Sequence, residues 1–264
     1  MQDDDRPNQT DRTDLEKRAR AERRGVGRLA EVVRDDQLPA GAGTAPEVSA
    51  ISAASVLLLR DNPFEVLMIH RHEKSRFVPN AWVFPGGAVD DDDHELSDGS
   101  VVNTMRVAAA RELFEETGIW LGLTLRDAAE KRRKLLARQV RFGDLFAEAP
   151  IDFERLVWTA RWITPVGVPR RFDTYFFLAC VGRDVVATAE QNEAVEVVWI
   201  SPARAVERHM SGDFPLVFPT LKNLEAIVGF ASSADLLEVR RRAEIATTRP
   251  ILVLENGQKK IILP

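Results

Sequence analysis

The chain has 264 residues, 45% of them hydrophobic and 29% charged, with a formal net charge of −5 and a pI near 5.6. That is enough apolar material for one sizeable core, or for a core domain with an appendage. The acidic balance argues against a nucleic-acid scaffold, because no basic excess exists to neutralise phosphates. The single cysteine, Cys180, excludes an intramolecular disulfide framework and fits a reducing compartment. Within the apolar run Tyr175-Phe176-Phe177-Leu178-Ala179-Cys180-Val181 it reads as a buried structural thiol rather than a nucleophile.

Residues 1–46 read as a flexible tail, rich in Asp, Arg, Gln and Asn and closed by the linker Gly41-Ala42-Gly43-Thr44-Ala45-Pro46. Residues 14–35 carry too thin an apolar stripe for a packed helix and are expected as a solvated segment. The acidic start Met1-Gln2-Asp3-Asp4-Asp5 has no apolar segment behind it. Neither a signal peptide nor a membrane span is therefore expected, and the cytoplasm is the default. The main domain is expected over 47–210 and a C-terminal helical extension over 211–264.

From Val48 the composition changes. Ser55-Val56-Leu57-Leu58-Leu59-Arg60 and Val66-Leu67-Met68-Ile69-His70 predict two strands, joined by the turn residues Asp61-Asn62-Pro63. Ala81-Trp82-Val83-Phe84 is a short strand stopped by Pro85-Gly86-Gly87. Residues 103–117 have helical spacing, with Val107, Ala110, Leu113 and Phe114 on one side and Gly118 as the stop. A basic helical stretch over 125–140 follows. Further strands are expected near 156–163, 174–181 and 195–200, then helices near 202–210, 218–230 and 233–244. A closing hairpin turns on Asn256-Gly257. Strands and helices mix without regular βαβ alternation, which favours a mixed-sheet α/β (α+β) domain over a doubly wound one.

The segment Arg111-Glu112-Leu113-Phe114-Glu115-Glu116-Thr117-Gly118-Ile119 carries the chemistry. Glu112, Glu115 and Glu116 stand at i, i+3 and i+4 and so share one helix face. Like charges at that spacing repel, whereas oxygen ligands converging on one spot suit a hard divalent ion such as Mg²⁺ or Mn²⁺. Arg111, four residues before Glu115, can orient or partly neutralise the cluster. An acidic face of this kind is often merely solvated, so its flanks decide its meaning.

Those flanks resemble the Nudix box, G-x5-E-x7-R-E-U-x-E-E-x-G-U, with U a bulky apolar residue. Arg111 to Ile119 match its second half at every defined position, and Phe84-Pro85-Gly86-Gly87 supplies the strand and glycine turn of its entry. The resemblance implies an α/β/α sandwich with a mixed sheet, and metal on Glu112, Glu115, Glu116 and the Gly87 carbonyl. It makes Arg111, Glu115 and Glu116 part of the catalytic apparatus. One departure stands out: Arg111 lies 24 residues after Gly87 instead of fourteen. Asp93 occupies the position of the box's first glutamate, inside Asp90-Asp91-Asp92-Asp93-His94-Glu95. Asp93, Glu95 or neither takes that role, and the run is expected as a hydrated loop.

Ser75-Arg76-Phe77-Val78-Pro79-Asn80-Ala81-Trp82-Val83-Phe84-Pro85-Gly86-Gly87 looks like the subgroup that hydrolyses coenzyme A and its thioesters. Arg161-Trp162-Ile163-Thr164-Pro165 and Arg170-Arg171-Phe172-Asp173 are similar to its longer members. This implies a small CoA-like nucleotide substrate, with no nucleic-acid or membrane partner; a homodimer is admitted. Arg71, Arg76, Arg170 and Arg171 are candidate phosphate partners, because guanidinium forks pair bidentately with phosphate. Phe77 or Trp82 could stack on adenine, although core packing is the commoner use of such rings. The general base is expected at Glu193, in a loop before a late strand, with Glu190, Glu196 or a box glutamate as alternatives. Two other readings share the box: an ADP-ribose or dinucleotide pyrophosphatase, and a non-catalytic nucleotide-binding module.

Overall fold

The computed structural model describes residues 30–32, 42–43, 45–75, 78–190, 194–255 and 258–263. At its centre lies a mixed sheet built on β2 (Ala50–Arg60). Seven consecutive residues of β2, Ala53–Leu59, are buried, as befits a strand covered on both faces. On one side β2 runs parallel to β7 (Arg171–Cys180), which pairs antiparallel with β6 (Val157–Ile163), and β6 pairs with β9 (Thr247–Thr248). On the other side β2 pairs antiparallel with β3 (Glu65–Arg71) at one end and with β5 (Gly86–Ala88) at the other. Strands β4 (Trp82–Val83) and β8 (Ala194–Ile200) both pair with β3.

Alternation along these strands divides the interior into two cores. Val56, Leu58, Tyr175 and Phe177 meet Val107, Ala110, Leu113 and Phe114 on one face. Leu57, Leu59, Phe176 and Leu178 meet Phe214, Leu221, Leu224 and Leu236 on the other. The sheet thus lies between two helical layers. Residues after 210 share the second core with the strands: α5 (Pro202–Ser211), α6 (Phe218–Glu225) and α7 (Ser233–Arg241) all contribute to that layer.

The glutamate-bearing helix is α2 (Val101–Thr117), one unbroken helix. The Ser100 side chain caps its first turn and Gly118, at φ 75°, ends it in the left-handed region. Two of its neighbours were not expected. The acidic run forms α1 (Asp91–Glu95), capped by Asp90, so it is not a hydrated loop. The basic stretch is shorter than expected, α3 (Ala128–Leu136), and is followed by α4 (Phe142–Glu148). Ala30–Val32, within the expected tail, form β1, which pairs antiparallel with β11 (Gln258–Ile262); β11 in turn pairs with β10 (Ile251–Glu255) in the closing hairpin. The three residues gain structure by completing a small sheet rather than through a helical face.

Candidate active site

The glycine turn and α2 are fitted against each other. Pro85 carbonyl oxygen accepts from Val56 N at 2.8 Å and from Ser55 Oγ at 2.9 Å, which fixes the turn to β2. Gly86 and Gly87 then pair with Ser55 and Ala54. A Cβ at Gly86 would overlap Ala54 and Ser55, and one at Gly87 would overlap the Glu112 carboxylate. Only glycine lets the backbone come this close to both the strand and the acid. Gly86 N donates to Glu116 Oε2 at 2.7 Å, so two of the three box glutamates lie directly on the turn.

Arg111 holds the remainder together. Nε and Nη2 donate to the two oxygens of Asp93, each at 2.9 Å, and Nη2 also donates to the Ala88 carbonyl at 2.8 Å. Nη1 donates to Glu112 Oε1 at 3.0 Å and Glu115 Oε2 at 3.1 Å. All five guanidinium N–H groups are therefore used. Burial alone would favour the neutral form of Arg111. The bonds to Asp93 and the charges of Glu112, Asp93 and Glu115 outweigh it, holding the guanidinium further into its charged state. Four of these five donors go to carboxylates and the fifth to the Ala88 carbonyl.

This answers which acid of the insertion meets the arginine. Asp93 is fully buried and closes the capping box of α1, its Oδ2 accepting from Asp90 N at 2.8 Å. Glu95 instead points to Arg141, which also takes Asp92 in a two-bonded pair at 2.6 and 2.9 Å. The extra residues are thus pinned from both sides. A signal existed in the sequence: Asp90 and Asp93 have the spacing of a helix-capping pair. Arg141 had no such signal.

A second arginine that the sequence did not single out lies at the far end of α2. Arg132, buried on α3, donates from Nε to the Glu115 carbonyl at 2.9 Å, while its Nη2 has no hydrogen-bond partner among the described residues. Burial draws its pKa down, against the charges of Glu190 and Glu116. The segment carrying Glu190 is tied to the same helix end, since Thr188 N donates to Thr117 O and Glu190 N to Glu116 O. Ala194 N then donates to Glu190 O at 2.8 Å.

The structure therefore brings together Gly87, Arg111, Glu112, Glu115 and Glu116. Glu193, Arg76 and Phe77 lie outside the described residues. Glu196 is exposed on β8 opposite His70. Arg71 lies on β3 beside Ala81, its Nε buried without a partner among the described residues. Arg170 is exposed over the Phe172 ring, 5.1 Å from its centroid. Arg171 donates to the carbonyls of Thr164 and Val48, at 3.0 and 2.8 Å. Trp82 is buried and stacked on both His70 and Phe214, at 4.6 and 4.3 Å, so its ring is used in packing rather than open to a base.

The donor set suits a hard divalent cation. It consists of carboxylates and a backbone carbonyl, with no sulfur or imidazole among them. In this arrangement the acids face protein partners: among the described residues no three acidic, His or Cys side chains are gathered into a ready cluster. The space that any side chain at position 87 would fill is occupied by the Glu112 carboxylate, which seats that acid directly on the glycine turn.

A mixed sheet between helical layers, with a glycine turn seated on a carboxylate helix, defines the Nudix fold class. A crystal structure of a NUDIX hydrolase from Alicyclobacillus acidocaldarius shares this fold with a TM-score of 0.64 and 25% identity, covering 72% of this chain and 96% of that one. The family model for the NUDT19 Nudix domain matches residues 98–227. A Caenorhabditis elegans protein named nudix hydrolase 7 is 33% identical over 180 residues, 66% of this chain and 59% of that one. The acyl-coenzyme A diphosphatase NUDT19 of Xenopus laevis is 25% identical over 235 residues, 66% of this chain and 62% of that one. Together these likenesses support a Nudix hydrolase related to the coenzyme A pyrophosphatase subgroup. The chain spans about six tenths of the length of the Caenorhabditis elegans and Xenopus laevis relatives. No helix among the described residues is long and apolar enough to cross a membrane.

Proposed function

We propose that this protein hydrolyses the pyrophosphate of coenzyme A or an acyl-CoA, giving 3′,5′-ADP and phosphopantetheine or its acyl form. The observation that carries the reading is the seating of Glu112 and Glu116 on Gly86-Gly87, with Arg111 orienting Glu112 and Glu115. Relatives named acyl-coenzyme A diphosphatase support the substrate class.

Glu112, Glu115, Glu116 and the Gly87 carbonyl would hold Mg²⁺ or Mn²⁺. A divalent ion there neutralises charge on the non-bridging phosphate oxygens and lowers the pKa of water. The chain's own part is to place these acids and to take a proton. Water oxygen bonds to one phosphorus, the bridging P–O bond breaks, and the water proton passes to a carboxylate, which we assign to Glu193. Its flanking residues support this: Glu190 is bonded to the end of α2 and Ala194 begins β8. Arg76 is assigned to the 3′-phosphate. A cytoplasmic setting belongs to this reading, as the one cysteine needs no oxidising compartment.

The test is a product screen with Mg²⁺ or Mn²⁺ over CoA, acyl-CoAs, ADP-ribose, NADH and diadenosine polyphosphates. Release of 3′,5′-ADP from CoA species at the highest kcat/KM is the expected result. Preference for ADP-ribose would replace the substrate assignment, and binding without turnover of any of them would make the chain a nucleotide-binding module.

A further inference from the structure

A cavity of about 170 Å³ lies against the ends of β6 and β7 and beside α6. Trp162, Phe172, Phe176, Val217, Phe218 and Ile261 are among the residues of its wall. Among the described residues no charged side chain and no amide side chain lines it; its polar side chains are three threonines. Thr164 Oγ1 already accepts from Phe172 N at 3.0 Å, and Thr220 is buried.

Its position relative to the site follows from the sheet register. Phe176 pairs with Ser55, which pairs with Gly86; Thr174 pairs with Ala53, which pairs with Ala88. The cavity wall is therefore level with the glycine turn and two strand spacings away, about 10 Å. Phe176 belongs to the core on the face opposite α2, so the cavity opens across the sheet from the carboxylates.

We propose that this cavity receives the aliphatic tail of a thioester substrate, and so sets a preference for acyl chains over free coenzyme A. The proposal rests on the CoA reading above. An adenine carries several hydrogen-bonding atoms, and the wall offers no carboxylate or amide to satisfy them; burying them unpaired would oppose binding. Among the described residues of the wall a 3′-phosphate would find no cation. A saturated chain makes no such demands and gains from each methylene removed from water.

The experiment measures kcat and KM for CoA and its acetyl, hexanoyl, decanoyl and palmitoyl thioesters, in the wild type, Val217→Trp and Phe172→Ala. Binding of CoA and decanoyl-CoA is also measured by calorimetry in EDTA. In the wild type KM should fall by about fourfold per buried methylene until the cavity is full, with kcat little changed, and decanoyl-CoA should bind more tightly than CoA. Val217→Trp should bring the decanoyl-to-CoA ratio towards one in both measurements, and Phe172→Ala should move the optimum to longer chains. Equal effects of Val217→Trp on CoA and decanoyl-CoA, or a wild type indifferent to chain length, would overturn the tail site while leaving CoA hydrolysis standing. Wild-type turnover of no CoA species would remove the CoA-hydrolysis reading, and the calorimetric comparison would still decide whether the cavity takes a tail.

Discussion

Asp93 and Arg111, 18 residues apart in sequence, form a closed pair in which two guanidinium nitrogens meet two carboxylate oxygens, both out of water. Neutralising Asp93 leaves Arg111 with carboxylates only on its Nη1 side. Asp93→Asn should cost about 3 kcal/mol of stability, whereas Glu95→Gln, whose partner Arg141 is largely exposed, should cost far less. Urea titration of both variants measures the difference; equal losses would mean that the insertion is not anchored through Asp93.

Removing a charged oxygen from the box should separate activity from folding. Glu115→Gln and Glu116→Gln should each lower kcat on the order of 10²-fold or more, because each weakens the hold on an ion that stabilises transition-state charge. The amide oxygen that Glu116→Gln leaves in place can still accept from the Gly86 N–H, so the melting temperature should hardly move. EDTA should abolish turnover, and full activity without divalent metal would reject the assignment.

The base is tested by its pH signature. Glu193→Gln should lower kcat by about 10²–10⁴-fold and flatten the acidic limb of the pH–rate profile. Glu190→Gln should leave that limb in place, since the loop is fixed to α2 through its backbone N–H. The reverse pattern would move the base to Glu190.

Substrate selection should reside outside the box. Arg76→Ala should lower kcat/KM for CoA by roughly ten- to a hundredfold through KM, the loss of one charge-assisted bond. Dephospho-CoA should be little affected. Equal wild-type rates on the two substrates would remove the 3′-phosphate site. Arg171→Ala is a useful contrast, because its hydrogen bonds to Thr164 and Val48 support the chain there.

Cys180 is half-buried, and burial pushes its thiol above the usual range despite a hydrogen bond to Ser233. A raised pKa means less thiolate at a given pH. Alkylation by iodoacetamide at pH 8 should run more slowly than for a free thiol and gain rate as the pH rises. Reaction at the free-thiol rate would show that the site is open.

Residues governed by local rules were legible before the structure. Val107, Ala110, Leu113 and Phe114 mark the buried face of α2, Gly118 ends it, and the three glutamates follow on the other side. The apolar runs of β2 and β3 were equally plain, being covered on both faces. What escaped depended on partners distant in the chain. Gly86–Ala88 looks like a turn and becomes a strand only because β2 presents a free edge there. Asp93 looks solvated until Arg111 arrives from 18 residues away. Arg132 reads as one more basic helical residue, and its place under the last turn of α2 follows from packing alone.

The insertion also changes what the box means as a pattern. Gly87 to Asp93 keeps its usual spacing, and so does Arg111 to Ile119; all the added length falls between Asp93 and Arg111. Both ends of that stretch are clamped, by Asp93 on Arg111 and by Ser100 at the start of α2. Of the seventeen residues between Asp93 and Arg111, two end α1 and ten begin α2, so the link outside the helices is only 96–100, and closing so short a link costs little beside one buried ion pair. The box is therefore two rigid half-signatures with an adjustable tether, and the tether is free to gain or lose residues over evolutionary time without disturbing the chemistry. A single fixed count from glycine to arginine passes over chains like this one.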